Sequence, residues 1–257
     1  MFQDNANNIN NINNINIKRK ITNKKTQPVG KTLVTATPAK SVSNSAVFTF
    51  MLTYTILLTT ATITLIEALR TKTPRVRHIL NLETCISLVA GYYYGVFITK
   101  VQDVKKPVDW SEITKLRYID WGITTPMMLL ALSLVLAMNS KTVVHFPTIF
   151  LIVILNYCML FMGYIGEAYP NYRFLCMICG FIPFTVMFYL IYKNYYGKNI
   201  LSNKVMFSLY LFVWGLYGIV YMFEEITKNI CYNVLDLIAK CLIGLGLWVY
   251  YSGIIKK

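Results

Sequence analysis

Residues 113–138 read ITKLRYIDWGITTPMMLLALSLVLAM. The stretch exceeds the roughly 20 mostly apolar residues that a helix needs to cross a bilayer, and from Gly122 onward it carries no charge. It shows no alternation of polar and apolar residues, which excludes a barrel strand; a helix is then the way left to satisfy its backbone in lipid. Pro126 is compatible with this, because neighbouring helices in a bundle re-satisfy the backbone groups that a proline frees. The polar residues are ordered. Arg117, Asp120 and Thr124 recur at intervals of three and four, and so share one helix face. Charge within a membrane span faces a bundle interior or a partner. This one segment predicts a helical membrane bundle with a polar interior.

Six further apolar runs surround it. Together the seven occupy about 46–69, 77–99, 113–138, 143–166, 171–194, 202–226 and 230–254. The breaks are short and carry Pro, Lys, Asn or acidic residues. Tyr54, Trp110, Tyr169, Tyr195, Tyr196 and Tyr250 stand near run ends, as interface anchors do. Only 14% of the 257 residues are charged and 56% are hydrophobic, with mean hydropathy +0.49; a soluble domain carries roughly 25% charged residues. The expected fold is an all-α membrane protein, a seven-transmembrane helix bundle over residues 46–254, with 255–257 as a short C-terminal tail. Residues 1–45 differ. Asn-Asn-Ile-Asn recurs there, followed by Lys18, Arg19, Lys20, Lys24 and Lys25 and a Ser/Thr/Ala/Pro stretch, a composition that predicts a disordered basic tail. It lacks the apolar core of a cleavable signal peptide; a basic amphipathic targeting peptide is the alternative.

The net charge of +14 raises the question of nucleic acid. Its distribution argues against that, because the basic residues sit between apolar runs rather than along one face. They read as topology signals. Arg70, Lys72, Arg75, Arg77, Lys141, Lys193, Lys198, Lys204, Lys256 and Lys257 occupy one set of loops and the C-terminus, without an acid between them. The other loops mix Lys100, Lys105, Lys106, Lys115, Arg173 and Lys228 with Asp103, Asp109, Glu112, Glu167, Glu224 and Glu225. The first set is expected in the cytoplasm, which puts the C-terminus inside and the N-terminus outside. The cysteines, the Cys176-x-x-Cys179 pair included, lie in or beside apolar runs and read as packing residues, with no metal site expected.

Six ionisable residues remain inside the runs: Glu67, Glu83, Arg117, Asp120, Asp236 and Lys240. Intramembrane charge is costly and marks candidate functional sites. Asp236 and Lys240 lie at i and i+4 on one face of the seventh helix. Apolar neighbours surround Lys240, far from either interface. Two uses fit such an amine: a salt bridge with Asp236, or covalent capture of a carbonyl as a Schiff base. In the third run a cation stands one turn outside Asp120 and the Thr124 hydroxyl one turn inside, an arrangement suited to a buried acid that faces a cation elsewhere. Arg117 and Lys240 balance Asp120 and Asp236 in charge.

The pattern Arg117-Tyr118-x-Asp120-Trp121-x-x-Thr124-Thr125-Pro126, with Asp236-x-x-x-Lys240, resembles the microbial (type I) rhodopsins. The sixth run adds Trp214, Tyr217 and Tyr221 at the spacing of that family's pocket aromatics, with Gly218 where a proline is usual. The fourth run offers Asn156, Met159 and Gly163, and the second offers Tyr94. The resemblance covers residues 46–254. It implies a bacteriorhodopsin-like bundle with all-trans retinal on Lys240, Asp120 as primary counterion and proton acceptor, Asp236 as second counterion, and Arg117 gating the extracellular side. It places Trp121, Trp214, Tyr217, Gly180 and Phe184 on the pocket wall, has Thr125 and Asn156 link the third and fourth helices, and implies a homo-oligomer in lipid rather than an enzyme. Gly122 and Gly180 are expected to leave space near the chromophore ring.

Outward proton pumps of this family carry an internal acid three turns beyond the counterion; here that position is Ala131. The segment around Lys228 does not reproduce the usual paired-glutamate release group, although Glu224 and Glu225 lie nearby. Glu83, by register with Tyr94, is expected in the cytoplasmic half facing the third helix. It is read either as a cation-path residue or as an interhelical hydrogen bond; Glu67 is read as a path residue or a solvated interface group. Asn81-Leu82-Glu83-Thr84, the absent donor and Tyr92-Tyr93-Tyr94 are similar to the viral rhodopsins of large algal and protist viruses, one group of which contains light-gated cation channels. The expected function is a light-gated channel for monovalent cations, with a weak outward proton pump or a photosensor as alternatives. A retinal-free transporter or receptor, in which Lys240–Asp236 is only a salt bridge, is the reading from another class.

Overall fold

The computed structural model describes residues 44–103 and 106–252. The N-terminal tail up to residue 43 and the C-terminal tail lie outside the described residues. Seven helices are long and apolar enough to cross a membrane: α1 (Asn44–Arg70), α2 (Pro74–Val101), α3 (Trp110–Ser140), α4 (Phe146–Ala168), α5 (Arg173–Tyr195), α6 (Leu201–Val220) and α7 (Glu225–Ser252). No strand occurs among the described residues. The protein is therefore an integral, multi-pass membrane protein.

Local chemistry explains the ends. Pro74 and Pro147 sit in the first turns of α2 and α4, where a missing N–H costs nothing. The Asp109 carboxylate accepts from the Glu112 N–H and caps α3 (3.1 Å). At the other end of α3, Lys141 adopts a left-handed φ of 57° and its N–H closes on the last carbonyls. Inside α7, Leu237–Leu242 winds as a π-helical turn with Lys240 within it.

The helices close into a ring: α1 packs on α2 and α7, α2 on α3, α3 on α4 and α6, α4 on α5, and α6 on α7. The core joins Trp121, Met128, Leu132, Phe184, Phe188 and Trp214, while Phe146, Phe161, Ile182 and Phe212 point outward. Lipid is as apolar as such side chains, so packing and interhelical hydrogen bonds hold the ring. Examples are Thr64 Oγ1 to Thr84 Oγ1 between α1 and α2 (2.8 Å), and Asn203 Nδ2 of α6 donating to Leu136 O of α3 (3.0 Å).

One boundary differs from the sequence reading. Hydropathy extends the sixth run to 226 and assigns Lys228 to a loop. The sixth helix ends at Val220, the seventh starts at Glu225, and Lys228 is 1% exposed within its first turns. The cause is electrostatic: Lys228 Nζ donates to Glu167 Oε1 (2.9 Å) and Glu225 Oε1 (2.8 Å). A cation paired on both sides can enter a helix that a hydropathy count assigns to the aqueous side.

Candidate functional site

The centre of the bundle is ionic. Lys240 Nζ donates to Asp120 Oδ2 at 2.7 Å and lies 3.6 Å from Asp236 Oδ2. Of the two carboxylates, the one a helix away is the nearer. Asp236 is held from other directions: it accepts from Tyr217 OH (2.6 Å) and Tyr94 OH (2.8 Å) and lies 3.4 Å from Arg117 Nη1. Arg117 also donates to Asn229 Oδ1 (3.1 Å) and Asn233 Oδ1 (2.9 Å), with its guanidinium 5.0 Å from the Phe97 ring centroid. Arg117, Asp120, Asp236 and Lys240 are each at most 1% exposed, and their formal charges cancel. Charges this deep persist only when paired and hydrogen-bonded. Asn229 and Asn233 carry no signal in the sequence, because an asparagine beside or within an apolar run gives no sign of which helix it serves.

From Lys240 an apolar cavity opens between α3, α4, α5 and α6. Trp121, Thr125, Met159, Gly163, Gly180, Phe184, Trp214, Tyr217, Tyr221 and Asp236 line it with Lys240. Tyr118, Met128, Leu160, Cys176, Met177, Phe181, Gly218 and Tyr232 complete the wall; Met128, Leu160, Met177, Phe181 and Tyr232 carry no signal in the sequence, since nothing in spacing separates a lining side chain from ordinary core. Thr124, Asn156 and Tyr94 stand behind the lining. Thr124 Oγ1 donates to Asp120 O (2.8 Å), and Asn156 Nδ2 donates to Thr125 Oγ1 (2.8 Å), tying α4 to α3. Gly122 is not on the wall; its carbonyl accepts from Tyr157 OH of α4 (3.1 Å).

Beyond the cavity, toward the α1–α2 loop, Ala131 is fully buried. Glu83 is 1% exposed, with Oε1 unpartnered among the described residues. Sequence register faces it toward the third helix; its Oε2 also approaches the seventh, 3.1 Å from where a Cβ on Gly244 would lie. Glu67 is only partly buried and pairs with exposed Arg70 at 3.9 Å. At the opposite end, Glu167, Arg173, Glu225 and Lys228 form one cluster, with Arg173 Nη2 3.0 Å from Glu167 Oε2. The sequence disperses these four among separate loops; their ion pairs make them one unit.

Fold and site together define a polytopic membrane protein built around a buried lysine at the mouth of an apolar cavity, faced by two carboxylates. A family model described as bacteriorhodopsin-like protein matches residues 45–253, and the chain belongs to this family of microbial rhodopsins. The structure is similar to that of viral rhodopsin OLPVRII, with 40% sequence identity and a TM-score of 0.77 over 82% of this chain and 99% of that one. It is also similar to thermophilic rhodopsin, at 26% identity and a TM-score of 0.65, over 79% and 91% of the two chains. Among curated relatives, the green-light absorbing proteorhodopsin of Gamma-proteobacterium EBAC31A08 is 26% identical over 52% of this chain and 60% of its own length. The opsin-like protein carO of Fusarium fujikuroi is 28% identical over 54% and 48%. The chain thus matches about half to three-fifths of these relatives' lengths. The family implies a retinal chromophore. The site suits one: an amine at the end of an apolar slot, with Asp120 Oδ1 and Trp121 Nε1 lacking hydrogen-bond partners among the described residues.

Proposed function

We propose that the chain carries all-trans retinal as a Schiff base on Lys240 and works as a light-gated channel for monovalent cations. Bound there, retinal would supply light absorption and a change of shape. The protein's own groups do the rest. Asp120, 2.7 Å from the lysine nitrogen, is the carboxylate placed to take a proton at Oδ2. Asp236, fixed by two tyrosines, serves as a second counterion that cannot swing away. Trp121, Trp214, Tyr217, Met159, Gly163, Gly180, Phe184 and Tyr221 confine the chromophore, and Thr124, Thr125, Asn156 and Tyr94 hold that wall in place. Glu67, Glu83, Asp120 and Arg117 mark the cation path. The chain is read as a homo-oligomer with a basic N-terminal tail outside and the C-terminus in the cytoplasm.

One observation carries the channel reading: a fully buried carboxyl, Glu83, has no ion pair among the described residues, while the pump's donor position on α3 is Ala131. A carboxyl on the interior of a bundle attracts cations once water reaches it. The test is whole-cell voltage clamp of retinal-supplied cells under light pulses. A current that reverses with the cation gradient, and whose selectivity changes in Glu83→Gln, is expected. A current of one sign at every voltage would instead establish the second reading, a weak outward proton pump. A normal pigment spectrum without current would leave a photosensor.

A further inference from the structure

The two ends of the bundle are closed by polar locks. At one end Arg117 and Lys228 are buried and held by polar partners, Arg117 by Asn229, Asn233 and Tyr94 and Lys228 by Glu167 and Glu225. At the other, buried Asn203 donates to Leu136 O and Tyr196 O and accepts from Asn139 Nδ2 (2.8 Å). An apolar molecule has no reason to enter through either. The side wall between α5 and α6 is built differently. Phe181 lines the cavity and is itself only partly buried, so it stands between the cavity and the lipid-facing side of α5. Its neighbours Ile178, Ile182 and Ile219 are exposed. The wall is therefore one side chain thick.

Gly218 makes this possible. The tip of the Phe181 ring rests on the Gly218 backbone, and a Cβ there would collide with Cζ and lie 2.7 Å from Cε2. The notch left by the glycine is the seat of the ring. The ring is anchored to the cavity side by an edge-on contact with Phe184 (centroids 5.6 Å apart) and makes no hydrogen bond. Rotation of one aromatic side chain is fast and cheap beside the separation of two helices.

We infer that Phe181 seated on Gly218 is a lateral door through which an apolar retinoid aldehyde passes from the bilayer into the cavity. The ligand class follows from the route. The door faces lipid, both of its jambs are apolar, and the passage ends at the Lys240 amine, whose nitrogen would form the C=N bond as the aldehyde oxygen leaves as water. The inference rests on the retinal reading above.

The test uses the full chain in proteoliposomes with all-trans retinal added to the bilayer. Entry is read by quenching of the cavity tryptophans, Trp121 and Trp214, and condensation by the rise of the visible band. Phe181→Ala removes the door, and Gly218→Ala unseats it. Both should quench faster than the wild type by about tenfold, the effect of a barrier lowered by one side-chain contact. Ile182→Ala, exposed on the same helix, should leave the rate unchanged. Wild-type quenching rates in both door variants, with a normal visible band, would overturn the door and leave the retinal reading standing. No visible band in the wild type would remove both.

Discussion

At the scale of the residue, the centre is an amine shared unequally by two carboxylates. Asp120 is near and has one oxygen unpartnered; Asp236 is farther and saturated by Tyr94, Tyr217 and Arg117. Their roles should separate accordingly. Lys240→Ala, reconstituted with retinal, should show no visible pigment band; a band of ordinary intensity would refute the covalent reading. Asp120→Asn should shift absorption to longer wavelength. A negative charge beside the nitrogen stabilises the cation where it sits in the dark and less so once excitation draws the charge along the polyene, so its removal narrows the gap. A spectrum that stays in place would move the counterion role to Asp236. Much of this centre was legible in sequence, because charged residues in apolar runs are few and their i, i+4 spacing assigns them to a face. What spacing could not give was the partner across the bundle. Lys240–Asp236 is the obvious pair along the helix, yet the shorter contact is to α3.

At the scale of the element, α6 is the helix whose attachments differ most from end to end. Near its start, Asn203 bridges Leu136 of α3 and Tyr196 after α5. Farther along, at Gly218, it touches α5 through one phenylalanine ring. Asn203→Ala removes one donor from Leu136 O, which keeps that of Ser140 Oγ (2.7 Å), and one from the part-buried Tyr196 O, a loss of about 1–3 kcal/mol for the two bonds. The pigment should therefore bleach at a lower temperature, with its spectrum unchanged because the site lies far from the lysine. An altered spectrum would mean that the clamp reaches the cavity. Hydropathy located all seven helices because each run exceeds the bilayer's thickness, and it misplaced the α6–α7 break because it scores Lys228 as if unpaired. The link from Asn156 to Thr125 was reachable by resemblance; the Asn203 clamp and the Phe181 seat were not, since both join residues from separate runs and neither residue type announces its neighbour.

At the scale of the whole molecule, the bundle is a ring with lipid outside and ionic chemistry inside, sealed at one mouth by four charges. Lys228→Met should cost about 2–3 kcal/mol, less than the roughly 3–5 kcal/mol of a fully orphaned buried charge because Arg173 still pairs with Glu167. The same change at Lys100, whose partner Glu112 is half-exposed, should cost at most about 1 kcal/mol. Thermal bleaching of the two variants compares them directly, and equal losses would deny the mouth its structural weight. The π-helical turn at Leu237–Leu242 acts on the molecule in another way. An α-helix advances by about 100° per residue, so α7 carries one residue more than its thread requires. If that surplus slips by a single position, the side chain it passes is turned about the helix axis while both ends of the helix stay docked. The lysine thus sits on a swivel, and its nitrogen can exchange one neighbour for another without the bundle having to open.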